Sequence, residues 1–126
     1  DAVFGFPEVS VGLSVTGGIS RLLPVLVGWA RAKELLLLGE RVSGPDAAAM
    51  GLVARCVPTG EHESTALDLA RRMAERPALS LSLAKQALDA GLDSTVDGAM
   101  AREVEHALLT SLSGENDAPR EGFNRG

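Results

Sequence analysis

The apolar positions of this chain alternate at its front and fall into helical spacing further on. Residues 2–6 alternate in a β-compatible manner, and Pro7 ends that strand or confines it to a position that needs no amide donor. Glu8 therefore falls at a strand end. Gly12, Gly17 and Gly18 bracket the short Leu13-Ser14-Val15-Thr16 segment, where the backbone can approach another group closely. Helical spacing begins near Gly17 with Ile19, Leu22, Leu23 and Leu26. Pro24 is expected to break or restart this helix, and Gly28 to end it. A second helix is predicted over Trp29–Leu38, with Ala32, Leu35, Leu36 and Leu38 on its apolar side and Gly39 as its stop.

Arg41-Val42-Ser43 reads as a short extended link. Ser43-Gly44-Pro45-Asp46 then carries the start signals of a short helix over Ala47 to Met50, closed by Gly51. Leu52 to Val57 reads as a strand ended by Pro58. The two β segments cannot make a sheet alone, so they are expected to be edges of a larger one. From Gly60 on the pattern is helical. Ala66, Leu69, Ala70 and Met73 share one face up to Arg76-Pro77. Leu79, Leu83, Ala84, Ala87 and Leu88 follow to Gly91, and Val96, Met100, Val104, Ala107 and Leu108 run to Gly114. Three amphipathic helices in series imply packing against each other and against something else. The tail, Glu115 to Gly126, is polar apart from Phe123, and the chain shows no internal repeat or low-complexity run.

Composition narrows the partners more than the fold. A chain of 126 residues, 45% hydrophobic and 23% charged, is ordinary for one soluble domain. Its formal charge of −5 disfavours non-specific association with nucleic acid or an anionic membrane, so neither partner is expected. The single cysteine, Cys56, cannot form an internal disulfide, and a reducing, cytoplasmic setting is expected. No stretch approaches the roughly 20 apolar residues of a membrane span, and the first residues lack a signal-peptide pattern. The chain opens at Asp1 and runs almost at once into Val3-Phe4-Gly5-Phe6, which reads as a cut through a larger protein.

One carboxylate stands out. Glu8 follows a proline and is flanked by Phe4, Phe6, Val9 and Val11, surroundings that favour the neutral acid and suit it to moving protons. The competing reading is that Glu8 caps a turn on the surface, and the residues alone leave both open. Gly17-Gly18 at a helix start could present backbone amides to an anion or a polarised carbonyl, or could simply make a tight turn. No Lys-Ser/Thr follows the pair, as a Walker loop requires, and the third glycine of a dinucleotide fingerprint is missing. Cys56, His62 and His106 lack metal-ligand spacing, and Ser14 and Ser20 lack a nucleophile-elbow context. Glu61/Glu63 and Glu103/Glu105 stand two apart, which on a helix points them away from each other. Arg71-Arg72 and Arg31-Lys33 are short basic clusters best read as helix surface.

The order of these signals is specific. Phe4-Gly5-Phe6-Pro7-Glu8-Val9, Val11-Gly12, Gly17-Gly18, Arg21-Leu22, Gly28, Ala32-Lys33-Glu34-Leu35, Leu38-Gly39-Glu40-Arg41-Val42-Ser43, Ala47-Ala48, Gly51-Leu52-Val53 and Val57-Pro58 follow one another as in the C-terminal half of the crotonase family. The chain resembles those enoyl-CoA hydratases and isomerases across essentially its whole length. The resemblance implies an α/β fold. Residues 1–59 would be the end of a crotonase-like ββα spiral core, and residues 60–126 an α-helical oligomerisation region joining subunits into trimers or hexamers.

It also implies a function, syn hydration of a trans-2-enoyl-CoA by a lyase of fatty acid metabolism. By the match to the family's Pro-Glu motif, Glu8 would exchange a proton at the α/β carbons. Phe4, Pro7, Thr16 and Gly17 would be substrate-binding positions. Coenzyme A would arrive as part of the substrate, with no separate cofactor and no metal. The glycine-rich loop departs from the family's Gly-x-x-Pro-Gly-x-Gly-Gly form by being one residue shorter and lacking the proline. The family's other catalytic Glu and its oxyanion-hole amides belong to the N-terminal half, so this chain is expected to be a fragment, inactive alone. The alternatives are double-bond isomerisation on the same scaffold and a non-catalytic assembly module.

Overall fold

Antiparallel pairing of two three-residue strands ties the front of the chain to its middle. In the computed structural model, which describes residues 1–114, β1 (Val3–Gly5) pairs with β2 (Arg41–Ser43). The register sets Val3 opposite Ser43, Phe4 opposite Val42 and Gly5 opposite Arg41. The ladder continues one step further, where the Gly44 amide donates to the Ala2 carbonyl at 3.0 Å. The segment expected to be a mere link is thus the partner of the first strand. The strand expected over Leu52 to Val57 does not form, because the amides of Leu52 and Val53 turn back to the Ala47 carbonyl, at 2.9 and 3.3 Å. A strand needs a neighbour to receive its amides, and here a helix end receives the first two instead.

The described residues form two compact units, Asp1–His62 and the residues from Glu63 on. The first unit holds the β pair, a 3-10 turn at Val9–Val11, α1 (Ile19–Val27), α2 (Trp29–Leu38) and α3 (Gly44–Ala49). Its core is small: Leu23 from α1, Ala32, Leu35 and Leu36 from α2, Val42 from β2 and Ala47 from α3. Phe4, Phe6, Val15 and Ile19 are among the partly buried residues packed against it. Pro24 does not break α1. It lies buried within the helix, and the carbonyl it carries still accepts the Gly28 amide at 3.0 Å. Burying the ring offsets the missing N–H that makes proline costly inside a helix.

α3 begins earlier than its apolar pattern suggested. Ser43 is the N-cap, its Oγ accepting the Asp46 amide at 3.2 Å, and Pro45 occupies the first turn, where a missing amide costs nothing. Gly44 is already helical, so the helix starts at the cap signal, ahead of its first alanine.

In the second unit α4 (His62–Ala74) precedes a helical hairpin, α5 (Ala78–Gly91) packed against α6 (Val96–Leu112). The turn between them is held by Ser94, whose Oγ donates to the Ala90 carbonyl at 2.8 Å and accepts from Arg102 Nη1 at 3.1 Å. Thr95 caps α6 by accepting the Gly98 amide at 3.2 Å. Leu83 is the one buried apolar residue of α5, and α6 has none among the described residues. Residues 115–126, the polar tail, lie outside the described residues.

Candidate functional site

Phe4 faces Val42 across the strand pair, and two residues later the chain must turn. Pro7 has no amide to give to a ladder, so the strand stops and Glu8 enters helical backbone, φ −51° and ψ −48°, as the first residue of the Val9–Val11 turn. The Glu8 carbonyl accepts two amides, from Val11 at 3.1 Å and Leu13 at 2.8 Å. Gly12 closes the turn in left-handed backbone, φ 76°, with its amide on the Val9 carbonyl at 3.2 Å. The main chain of Glu8 is therefore held by the turn that follows it.

The side chain is left out of this arrangement. It makes no capping hydrogen bond and no ion pair among the described residues. Glu8 is half-buried, and its Oε2 is fully buried with no hydrogen-bond partner among the described residues. A surface cap would have its carboxylate on an amide, so that reading of Glu8 is overturned. Buried carboxylate oxygens are normally partnered, and leaving one unpartnered is costly unless another group reaches it. Such an atom can exchange a proton with a group brought to it.

Behind Glu8 the turn rests on the end of α2. Gly39, in left-handed backbone at φ 66°, donates its amide to the Leu35 carbonyl at 3.1 Å and ends that helix. Its missing side chain lets Ser10 Oγ come closer than a Cβ would allow, and the Phe6 carbonyl lies 3.5 Å from where that Cβ would stand. The α2 terminus thus lies beside Phe6, just before Pro7-Glu8, and beside Ser10, two residues after Glu8.

Of the positions expected to contact substrate, Phe4 and Pro7 border one open cavity of about 390 Å³, together with Val3, Gly5, Gly39 and Arg41. Glu8, Thr16 and Gly17 are not part of that lining. Thr16 and Gly17 lie instead at the entry to α1, where Gly17 and Gly18 take φ of 66° and 78° and the Thr16 carbonyl accepts the Ile19 amide at 3.3 Å. Gly39, Ser10 and Arg41 were missed as neighbours of this region. The signal for Gly39 and Arg41 was the Leu38-Gly39-Glu40-Arg41 run, which local reading treats only as a helix stop and a link, and Ser10 had none.

Among the described residues no three His, Cys, Asp or Glu side chains stand together as metal ligands. No described helix is long and apolar enough to cross a membrane.

The fold of this chain has clear counterparts. The family model described as enoyl-CoA hydratase/isomerase matches residues 1–125. The short-chain-enoyl-CoA hydratase of Clostridium acetobutylicum is 32% identical over 83% of this chain and 40% of its own length. The enoyl-CoA hydratase domain-containing protein 2, mitochondrial, of Bos taurus is 36% identical over 81% of this chain and 36% of its own length. The crystal structure of an enoyl-CoA hydratase from Bacillus anthracis superimposes with a TM-score of 0.88 at 26% identity, covering 99% of this chain and 48% of the other. The chain belongs to the enoyl-CoA hydratase/isomerase family. It has the C-terminal part of the crotonase fold, with a helical region after it, and spans about two fifths of the length of those two curated relatives.

Proposed function

We propose that the protein to which this chain belongs hydrates trans-2-enoyl-CoA thioesters, with Glu8 as a proton-transfer residue. Water adds its oxygen to the β carbon, the α carbon takes a proton, and the thioester carbonyl oxygen carries the developing charge between the two events. Glu8 suits the proton exchange because its main chain is held in a hydrogen-bonded turn while its Oε2 has no hydrogen-bond partner among the described residues. Phe4 and Pro7, on the cavity beside it, are the proposed acyl contacts, and Thr16 and Gly17 supply amides at the α1 entry. Coenzyme A enters as part of the substrate, and the proposal calls for no metal or redox group. Stabilisation of the enolate oxygen falls to donors outside this chain, so the chain alone is expected to turn over slowly.

The buried, unpartnered Oε2 of Glu8 carries this reading. Replacing Glu8 by Gln in the protein expressed from its complete reading frame tests it. A loss of about 10²–10⁴-fold in crotonyl-CoA hydration is expected, the range typical of a positioned acid or base. Undiminished turnover would remove Glu8 from the chemistry. The family also contains isomerases, and the same carboxylate could move a double bond without water. Supplying a 3-enoyl-CoA and identifying the product separates the two.

A second reading concerns assembly. Val96, Met100, Val104, Leu108 and Leu112 form an exposed row along α6. We propose that this helical region buries the row against copies of itself, in trimers or pairs of trimers, and sedimentation of a stable monomer would refute it. The lone, exposed Cys56 supports a reducing compartment such as the cytoplasm.

A further inference from the structure

We infer that Gly39 is a positioning residue for Glu8, holding the catalytic turn in place by having no side chain. This rests on the reading of Glu8 as the proton-transfer group. The Val9–Val11 turn begins at Glu8, and α2 packs directly against it. At the contact, Gly39 meets Ser10, and an added Cβ would overlap Ser10 Oγ while standing 3.5 Å from both Ser10 Cβ and the Phe6 carbonyl. Phe6 and Ser10 each lie two residues from Glu8, on opposite sides, so the single contact registers the chain on both sides of the carboxylate. Gly39 is itself anchored by its left-handed backbone and its hydrogen bond to Leu35, one of the buried core residues. The carboxylate's position is thereby referred to the core through α2, and a side chain at residue 39 must displace either the Ser10 hydroxyl or the turn.

These two responses give opposite kinetics, which makes the inference testable in the protein expressed from its complete reading frame, assayed with crotonyl-CoA. If Gly39→Ala moves the turn, kcat falls by about 10-fold or more while KM changes little, because displacements on the ångström scale at a reacting group are costly in rate. Removing the obstructing hydroxyl in the Ser10→Ala/Gly39→Ala double variant then restores kcat to within about 3-fold of Ser10→Ala, a rescue that backbone strain at residue 39 alone would not show. A normal kcat in Gly39→Ala, with the hydroxyl simply rotated away, overturns the inference, as does a double variant no better than the single one. Should Gly39→Ala not fold, Ser10→Val presses on the same contact from the other side with Gly39 intact, and the same kcat loss is expected; wild-type kcat there also overturns it. Glu8→Gln is measured alongside. Full activity in that variant refutes the role of Glu8 itself, whereas an inactive Glu8→Gln with a fully active Gly39→Ala refutes only the positioning role.

Discussion

The Leu13 amide donates to the Glu8 carbonyl across 2.8 Å, so the backbone of the proposed acid is also the point at which its own loop closes. A second amide, from Val11 at 3.1 Å, reaches the same oxygen. The side chain's Oε2 has no hydrogen-bond partner among the described residues, while the main chain beneath it carries two hydrogen bonds.

That closure depends on Gly12. Its φ of 76° lies where a Cβ strains the backbone, yet nothing stands within 4 Å of the place a Cβ would take. The cost of Gly12→Ala is therefore conformational strain alone, about 1 kcal/mol. Urea unfolding should show a lower midpoint with an unchanged slope. A drop of several kcal/mol would mean that the turn has an additional packing role.

The cap of α3 gives a second stability prediction. Ser43 Oγ accepts the Asp46 amide and donates to Asp46 Oδ2, a reciprocal pair at the first turn. Ser43→Ala should destabilise by about 1 kcal/mol, while Ser43→Thr, which keeps a hydroxyl to accept and to donate, should lose less. Equal losses in the two variants would show that the cap bond contributes little.

Leu23 tests how far the small core is shared. It is fully buried at the meeting of α1 with α2, whereas Leu22 beside it is 42% exposed. Leu23→Ala should cost about 2–5 kcal/mol, a typical penalty for truncating a buried leucine, and Leu22→Ala much less. Comparable losses at both positions, in the protein from the complete reading frame, would show that Leu22 is covered there by further chain.

What could be read in the sequence was mainly local. Gly39 as a helix stop, Ser43 and Asp46 as a helix start and Pro7 as a strand end each follow from one residue's backbone preference, and each stands in the structure. The ordered motifs located the family. Pairing was not legible, because Arg41–Ser43 is too short to show alternation and its partner lies far back in the chain, with Phe4 opposite Val42 at the centre of the register. Leu52 to Val57 misled for the complementary reason: β-branched composition favours a strand, but without a neighbouring strand the Leu52 and Val53 amides went to Ala47. The Gly39–Ser10 contact is likewise nonlocal, and no periodicity announces it.

The row on α6 makes its own prediction. Val96, Met100, Val104, Leu108 and Leu112 recur every four residues over about 24 Å of helix, and all are more than half exposed. A continuous apolar ridge of that length suits a helix of another subunit. Val104→Lys with Leu108→Lys should convert an assembled protein to smaller species in sedimentation, with helix content by circular dichroism preserved because both residues are already exposed. An unchanged sedimentation coefficient would exclude this ridge as the contact.

Placement and chemistry at residue 8 can be separated by two substitutions. Glu8→Asp keeps the carboxylate but withdraws it by one methylene, and the fixed turn cannot move forward to compensate because Val11 and Leu13 hold its carbonyl. If position is what the turn supplies, kcat in Glu8→Asp should fall by about 10²-fold, the scale expected for an ångström-level misplacement. Glu8→Gln keeps the length and removes the exchangeable proton, so its loss should be at least as large. A Glu8→Asp variant with nearly full activity would show that the site reaches out to its acid, and the rigidity of the turn would then have no catalytic purpose.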